Sequence, residues 1–409
     1  MKAVLVVLDG LGDRRCRELN WFTPLQAARS RFFDRLAAMG ETGLIDVVSP
    51  GLPNGSDTGH LALLGYDPFK YYTGRGPFEA LGAGLNLTER DIAFRCNFAT
   101  VSDDGEIMDR RAGRISTDES RIIAEEISNM TIDGVEIIFK HTVEHRGVLI
   151  MRGEGLSHKV SNVDPHGKTT KILPPRPLDN SREAAFTAQV LRKFLDKTRE
   201  ILKNHPVNLK RRENGLLPAD YILTRGAGRT PNLPNFREKY GMNGAIVAGG
   251  ALYKGVCRAA GFDVIPVEGA TGTVNTNLAN KMATVVETLK THDFVLLHIK
   301  APDTLSHDKK PREKANMIRK IGDEFEKIFD QLPDEVHIAV TGDHTTASEI
   351  GDHCGDPVPV LIYGNQVRGD DVRHFDEISC MKGGLGRIRG VDLMPIIANY
   401  LGKLELFGE

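Results

Sequence analysis

Cysteine is scarce in this chain and shows no pairing pattern. The five cysteines, at positions 16, 96, 257, 354 and 380 of 409 residues, form no CxxC and no paired framework. Neither a disulfide scaffold nor a thiolate metal site is therefore expected, and a reducing cytoplasmic setting fits. Long apolar runs are lacking as well: the opening MKAVLVVLDG is interrupted at Asp9 and no small-residue cleavage pattern follows, so neither a membrane span nor a signal peptide is expected. No sign of charge dominates. Lys and Arg number 53 against 55 Asp and Glu, a net charge of −2, which argues against a nucleic-acid partner but leaves room for an anionic substrate in a locally positive cleft. Internal repeats and low-complexity tracts are absent, and nothing in the pattern sets an oligomeric state. What is present is core: 40% of the residues are apolar, enough for two or three domains.

Three apolar runs organise that core. KAVLVVL (2–8), DFVLLH (293–298) and VHIAVT (336–341) read as strands buried on both faces, the signature of a parallel α/β sheet. Each ends next to acids and histidines: Asp9 after the first, Asp303 and His307 after the second, Gly342-Asp343-His344 after the third. Ligands of open parallel sheets gather beyond the carboxyl ends of the strands, so three such ends imply one shared site. A lone Asp there is ordinarily a helix cap and a lone His a hydrogen-bonded surface or core residue. The joint pattern points elsewhere. Carboxylate and imidazole donors suit zinc, manganese or cobalt, and the Asp303–His307 spacing puts both donors on one side of a helical turn. Asp9, Ser56, Asp303, His307, Asp343, His344 and His353 are thus candidates to close around two divalent ions, and donor type alone does not choose among Mn, Zn, Co and Mg.

Ser56 lies in LPNGSDTGH, a stretch of turn formers ahead of the apolar Leu61–Leu64, and should stand at or near a helix N-terminus. Its ordinary role there would be an N-cap. Beside a divalent metal the same hydroxyl becomes an activated nucleophile, and the helix end offers N–H groups to a phosphate.

Long motifs carry a resemblance through nearly the whole chain: VLVVLDGLGD, TPLQAA, LPNGSDTGHLALLGYDP, YYTGRGPFEALGAG, DRRAGRI, ADYILTRGAG, KAPDTLSHD and TGDHTTASEIGDHCGDPVPVLIYG. The sequence resembles the archaeal-type cofactor-independent phosphoglycerate mutases of the alkaline phosphatase superfamily. The resemblance implies an alkaline-phosphatase-like doubly wound α/β core with an inserted α+β domain, and Ser56 as the phosphorylated nucleophile. It further implies one metal on Asp303, His307 and His353 and a second on Asp9, Ser56, Asp343 and His344. The reaction implied is interconversion of 3-phosphoglycerate and 2-phosphoglycerate without 2,3-bisphosphoglycerate. The chain departs from the family at Thr304, Leu305 and Ser306, where an acid and an alanine usually precede the histidine, and at Thr345, Ala347 and Cys354, where Ser, Pro and Ser are usual. The ligand spacing is kept. A metal-dependent phosphohydrolase or phosphonate-handling enzyme on the same core is the alternative.

A substrate bearing a phosphate and a carboxylate calls for arginine forks. Arg110, Arg111 and Arg114 fall in one short stretch, Arg225 and Arg229 flank a Gly-Ala-Gly turn, and Lys254 follows an expected strand at 245–248. By resemblance Arg114, Arg225 and Lys254 are favoured for substrate contacts, with His145, Asp164 and His166 as additions. The core is expected over residues 1–95 and 240–409. The interval 96–239 is expected to be the insertion, closing over the metals and excluding water, with a helix opened by the capping-box pair Ser116 and Glu119, a longer helix from about Ser181 to Asn204, and a Pro-rich loop at 174–177.

Overall fold

The computed structural model describes residues 1–165, 170–406 and 408. The chain forms two compact units, Met1–Tyr72 with Leu233–Glu409, and Thr73–Asn232.

The first unit is built on an eight-stranded sheet. Its order from edge to edge is Asp263–Val264, Gly244–Val247, Phe294–Ile299, Lys2–Leu8, Val336–Thr341, Val358–Tyr363, Glu41–Asp46 and Gly386–Arg389. Only Val358–Tyr363 runs antiparallel to its neighbours. Lys2–Leu8 sits between Phe294–Ile299 and Val336–Thr341, and Val4 to Leu8 are fully buried. Its unbroken apolar pattern is that of a strand covered on both faces, and each such Val or Leu contributes roughly 1.5–3 kcal/mol by leaving water. The helix Pro311–Phe329 presents Ile318, Ile321, Phe325 and Ile328 as one buried stripe, and the Phe325 ring lies 5.5 Å from that of Phe32 on the helix Arg31–Met39.

A buried polar network braces the loop that follows Asp9. Lys314 Nζ donates to Asp13 Oδ2 (2.9 Å) and to the carbonyls of Gly12 and Thr346, both at 3.2 Å, while Asp13 also accepts from the Ser348 amide and hydroxyl. Glu377 caps this network, accepting from the Asp13 amide and the Thr23 hydroxyl. Burial pushes its carboxyl up from 4.5 to about 7, against the hydrogen bond from Thr23. A carboxyl that binds its proton more tightly folded than unfolded makes stability fall as pH rises between those two values, then level off. Wild type is expected to lose up to about 3 kcal/mol relative to Glu377→Gln between pH 4.5 and 7, read as the difference between their urea-unfolding curves. A parallel pH dependence of the two proteins would count against this account.

The second unit is α+β. Ile107–Asp109, Asp91–Val101, Arg146–Arg152, Val135–His141 and Met130–Ile132 form an antiparallel sheet, and Tyr221–Gly228 also pairs antiparallel with Asp91–Val101, over residues 93–99. Strand alternation sends Phe94, Cys96 and Phe98 to one face, where they join Ile123 and Ile127 of the helix Thr117–Ile127 and Leu191 and Phe194 of the helix Arg182–Asn204. The capping box of Ser116 and Glu119 opens the first helix and Ser181 caps the second. On the other face Ala80, from the short helix Gly76–Gly82, packs on Ala93, Val148 and Ile150. That contact explains why the unit begins at Thr73, earlier than the boundary at 95 expected from sequence: Asp91–Val101 is its central strand, and the helix before it is held by that strand. Among the described residues, no helix is long and apolar enough to cross a membrane.

Candidate active site

Every donor expected in the metal centre lies in the first unit, and five of the seven follow the carboxyl ends of its parallel strands. Asp9 follows Leu8, Asp303 and His307 ride on the helix Ala301–His307 just past Ile299, and Asp343 and His344 follow Thr341. His353 comes from the Asp352–Cys354 arm of a hairpin with Thr345–Ala347. Ser56 is the first residue of the helix Ser56–Leu63, and the N-cap is Gly55, with no side-chain cap. The Ser56 hydroxyl is therefore not spent on capping. Two glycines bring the parts together: Gly10, at φ +62°, donates its amide to Asp343 Oδ1 at 3.1 Å, and a Cβ on Gly59 would stand 2.3 Å from the Asp343 carbonyl.

Hydrogen bonds fix the imidazoles in one sense. His307 Nδ1 donates to the Gly351 carbonyl and His353 Nδ1 to the Asn54 carbonyl, both at 2.8 Å. A carbonyl only accepts, so each ring presents an Nε2 lone pair. Those two Nε2 atoms stand 3.2 Å apart, each 3.4 Å from Asp303 Oδ1. Two lone pairs and a carboxylate at such separations repel unless a cation lies among them. Tetrahedral donors about 2.1 Å from a metal are about 3.4 Å from one another, which is the spacing observed. Thr346 settles the third ring. Its hydroxyl donates to Asp303 Oδ1 at 2.7 Å and accepts from His344 Nδ1 at 3.0 Å, so His344 also presents Nε2.

Around His344 Nε2 lie Ser56 Oγ at 3.2 Å, Asp9 Oδ1 at 3.4 Å and Asp343 Oδ2 at 3.6 Å, all buried. Asp343 Oδ2 has no hydrogen-bond partner among the described residues, and a buried carboxylate oxygen without a donor suits a cation. The donor set fits a divalent ion here as well. Asp303 also approaches Asp9 and His344 closely enough to form a second triad, so the two expected ligand sets adjoin.

Burial alone would raise these carboxyls. The Lys300 ammonium, with the hydrogen bond from His298, instead holds Asp9 well below its usual value. Lys300 likewise overcomes burial to keep Asp303 low, and Asp343, beside His60, is held low against both burial and the repulsion of Asp9. All three stay ionised, the state in which a carboxylate can hold a metal.

Several residues at this centre were not singled out by sequence reading. Lys300 bridges Asp9 Oδ1 (3.0 Å) and Asp303 Oδ2 (2.5 Å). His298 Nε2 donates to Asp9 Oδ2 at 2.9 Å, with the Tyr253 ring stacked on it at 3.5 Å. His60 Nδ1 donates to the Ser56 carbonyl and lies 3.4 Å from Asp343 Oδ2. Lys300 and His60 fall inside the quoted motifs, which is the signal that was available. Lys254, next to Tyr253 on the helix Ala251–Ala259, is half-buried in the same unit, and burial with Arg258 lowers its pKa.

The remaining substrate candidates lie in the second unit. Arg225 neighbours Arg75, Asp164, Arg110 and Glu79, and its pKa is lowered chiefly by burial. Arg110 Nη2 meets both oxygens of buried Asp164 at 2.7 Å. His145 is buried, its Nδ1 has no hydrogen-bond partner, and burial with Arg146, Arg111 and Arg95 pushes its pKa down to about 3. Arg114 is exposed in a turn at φ +56°. His166 lies outside the described residues. Arg75, Arg95 and Arg146 belong to the group and were missed: an Arg within DIAFRCNFATV reads as an interruption until strand pairing shows what lies beside it.

A sheet that gathers imidazoles, carboxylates and a serine at its strand ends places this chain among the metal-dependent α/β proteins. The family model of 2,3-bisphosphoglycerate-independent phosphoglycerate mutases matches residues 37–208. A curated relative of that name from Methanocaldococcus jannaschii is 47% identical over 100% of this chain and 99% of its own length. A solved structure from Pyrococcus horikoshii matches with TM-score 0.88 at 42% identity, covering 100% of this chain and 99% of that one. The cofactor-independent phosphoglycerate mutase of Thermoplasma acidophilum matches with TM-score 0.69 at 39% identity over 98% of this chain and 100% of that one. The chain belongs to the 2,3-bisphosphoglycerate-independent phosphoglycerate mutase family.

Proposed function

We propose that this protein interconverts 3-phosphoglycerate and 2-phosphoglycerate without 2,3-bisphosphoglycerate, through a phosphoserine at Ser56. The observation that carries the reading is the convergence of Ser56, Asp9 and Asp343 oxygens on His344 Nε2, beside the Asp303–His307–His353 set. Two divalent ions are assigned to these donors, one on Asp303, His307 and His353, the other on Asp9, Ser56, Asp343 and His344. When bound, they would lower the pKa of the serine hydroxyl and screen the charge of the transferring group.

The chain's own residues do the rest. Ser56 Oγ attacks phosphorus of the 3-phosphate, the O3–P bond breaks, and glycerate leaves with the proton given up by the serine. The glycerate turns, O2 attacks the phosphoserine, and the Ser56 hydroxyl is restored. Lys300 supplies an ammonium beside the carboxylates, and the helix Ser56–Leu63 directs its positive N-terminal end at the transferred phosphate. Within the Thr73–Asn232 unit, the basic face with Arg225, Arg110, Asp164 and His145 is assigned to the binding of substrate anions, phosphate and carboxylate. Retention of glycerate and exclusion of water would separate a mutase from a hydrolase on the same core.

The test is conversion of 3-phosphoglycerate by metal-reconstituted protein without the bisphosphate, with free phosphate assayed in parallel. Isomerisation with little phosphate release is expected. Chelation should abolish it with far-UV circular dichroism retained, and phosphate release as fast as isomerisation would overturn the reading.

A further inference from the structure

The second unit sets like charges against each other on its sheet. Arg95 lies directly opposite Arg225 across the antiparallel pair, and Arg146, opposite Asn97 on the other side, falls on the same face because strand side chains alternate. Like charges directly opposed weaken a strand pair. A fourth guanidinium, Arg75, enters from the segment ahead of the short helix: a Cβ on Gly226, which has φ +66°, would touch Arg75 Cβ at 3.0 Å. Arg75, Arg146 and Arg225 are all electrostatic neighbours of Arg95.

One carboxylate stands inside this group. Glu79 Oε1 accepts from Arg75 Nε at 2.9 Å and lies 3.8 Å from Arg95 Nε, with its side chain only 14% exposed. A negative charge in a face assigned to an anionic substrate opposes binding through simple electrostatics, so its presence needs another reason. Packing does not give one, since the neighbouring Ala80 makes the helix's apolar contact with the sheet. Four arginines against Glu79 leave an excess of three positive charges, while Arg110 and Asp164 neutralise each other. A phosphate with a carboxylate carries about −2.5 to −3 near neutrality.

We infer that Glu79 is a positioning residue for the substrate: it holds Arg75 and Arg95 side by side against their repulsion, so that their guanidinium edges stay aligned for a ligand bearing a phosphate and a carboxylate. The inference rests on the assignment of this face to the substrate. Glu79 acts through the arginines and touches no reacting atom.

The full-length, metal-loaded enzyme tests this by steady-state kinetics with 3-phosphoglycerate, with thermal unfolding recorded for each variant. Glu79→Gln is expected to raise KM about tenfold with kcat within about threefold, the signature of lost binding shared by ground and transition states. Glu79→Asp, which keeps the charge, should recover most of the loss. In the Arg75→Gln background, Glu79→Gln should add little further rise, because its partner is gone. A KM for Glu79→Gln within twofold of wild type, or below it, overturns the inference, as does equal loss in the aspartate variant. If Glu79→Gln does not fold, the aspartate and Arg75→Gln comparisons decide. Arg225→Met separates the two layers: an unchanged KM there removes the substrate assignment of the face itself, whereas a raised KM with no effect of Glu79 removes only its positioning role.

Discussion

Ser56→Ala is expected to lower isomerisation by at least about 10⁴-fold, since removing a nucleophile leaves only the binding and electrostatic parts of catalysis. The protein should remain folded. Gly55, not Ser56, is the N-cap, no side-chain cap is made there, and the Ser56 hydroxyl contacts His344 Nε2 at 3.2 Å. Alanine is also a good helix residue at that position. The melting temperature should therefore stay within about 2 °C of wild type, which distinguishes a nucleophile from a capping serine, whose loss typically costs about 1 kcal/mol. The measurement is ³¹P NMR of 3-phosphoglycerate turnover for both proteins, with unfolding followed by circular dichroism. Residual activity above a few per cent of wild type, or a large loss of stability with proportionate loss of turnover, would remove Ser56 from its assigned role.

Asp13→Ala is expected to give the largest stability loss. Asp13 and Lys314 form an ion pair with both side chains wholly shielded from solvent. Removing the carboxylate leaves a buried ammonium with two backbone carbonyls as its remaining partners. Breaking one side of such a pair costs about 3–5 kcal/mol, or a fall of roughly 10 °C in the transition of a unit this size. Lys314→Met should cost less, because Asp13 keeps donors from Arg14 and from the Ser348 amide and hydroxyl. The pair also fastens Gly12 to Thr346, and Thr346 joins Asp303 to His344, so metal affinity should fall together with stability. Thermal unfolding and calorimetric Mn²⁺ titration read the two effects. Equal losses in Asp13→Ala and Lys314→Met would contradict the asymmetry argued from their partners.

Much of the core was legible because its signals are local. Apolar runs mark strands buried on both faces whatever their neighbours, so Lys2–Leu8, Phe294–Ile299 and Val336–Thr341 could be read directly. Acids and histidines at their ends pointed to a common site because parallel strands share a direction. The capping box was equally readable, because Ser116 and Glu119 act on each other only three positions apart. The boundary near residue 73 was not readable, since the Gly76–Gly82 helix resembles any short amphipathic segment until Ala80 is seen against Ala93, Val148 and Ile150.

The site divides in the same way. Residue types and spacing singled out Asp9, Ser56, Asp303, His307, Asp343, His344 and His353 as candidate donors, because metal chemistry restricts which side chains serve. Sequence could not say which nitrogen each histidine presents, since that depends on partners such as Gly351, Asn54 and Thr346, which for His307 and His353 lie 44 and 299 residues away. Nor could it pair Arg95 with Arg225, or set Glu79 against both. The sequence by itself determined the layered α/β core, the capping box and the candidate donor types, because those follow from periodicity and chemical identity. Tertiary structure alone decided register, tautomer and the balance of charge on the basic face, because each depends on which distant side chains folding brings within a few ångströms.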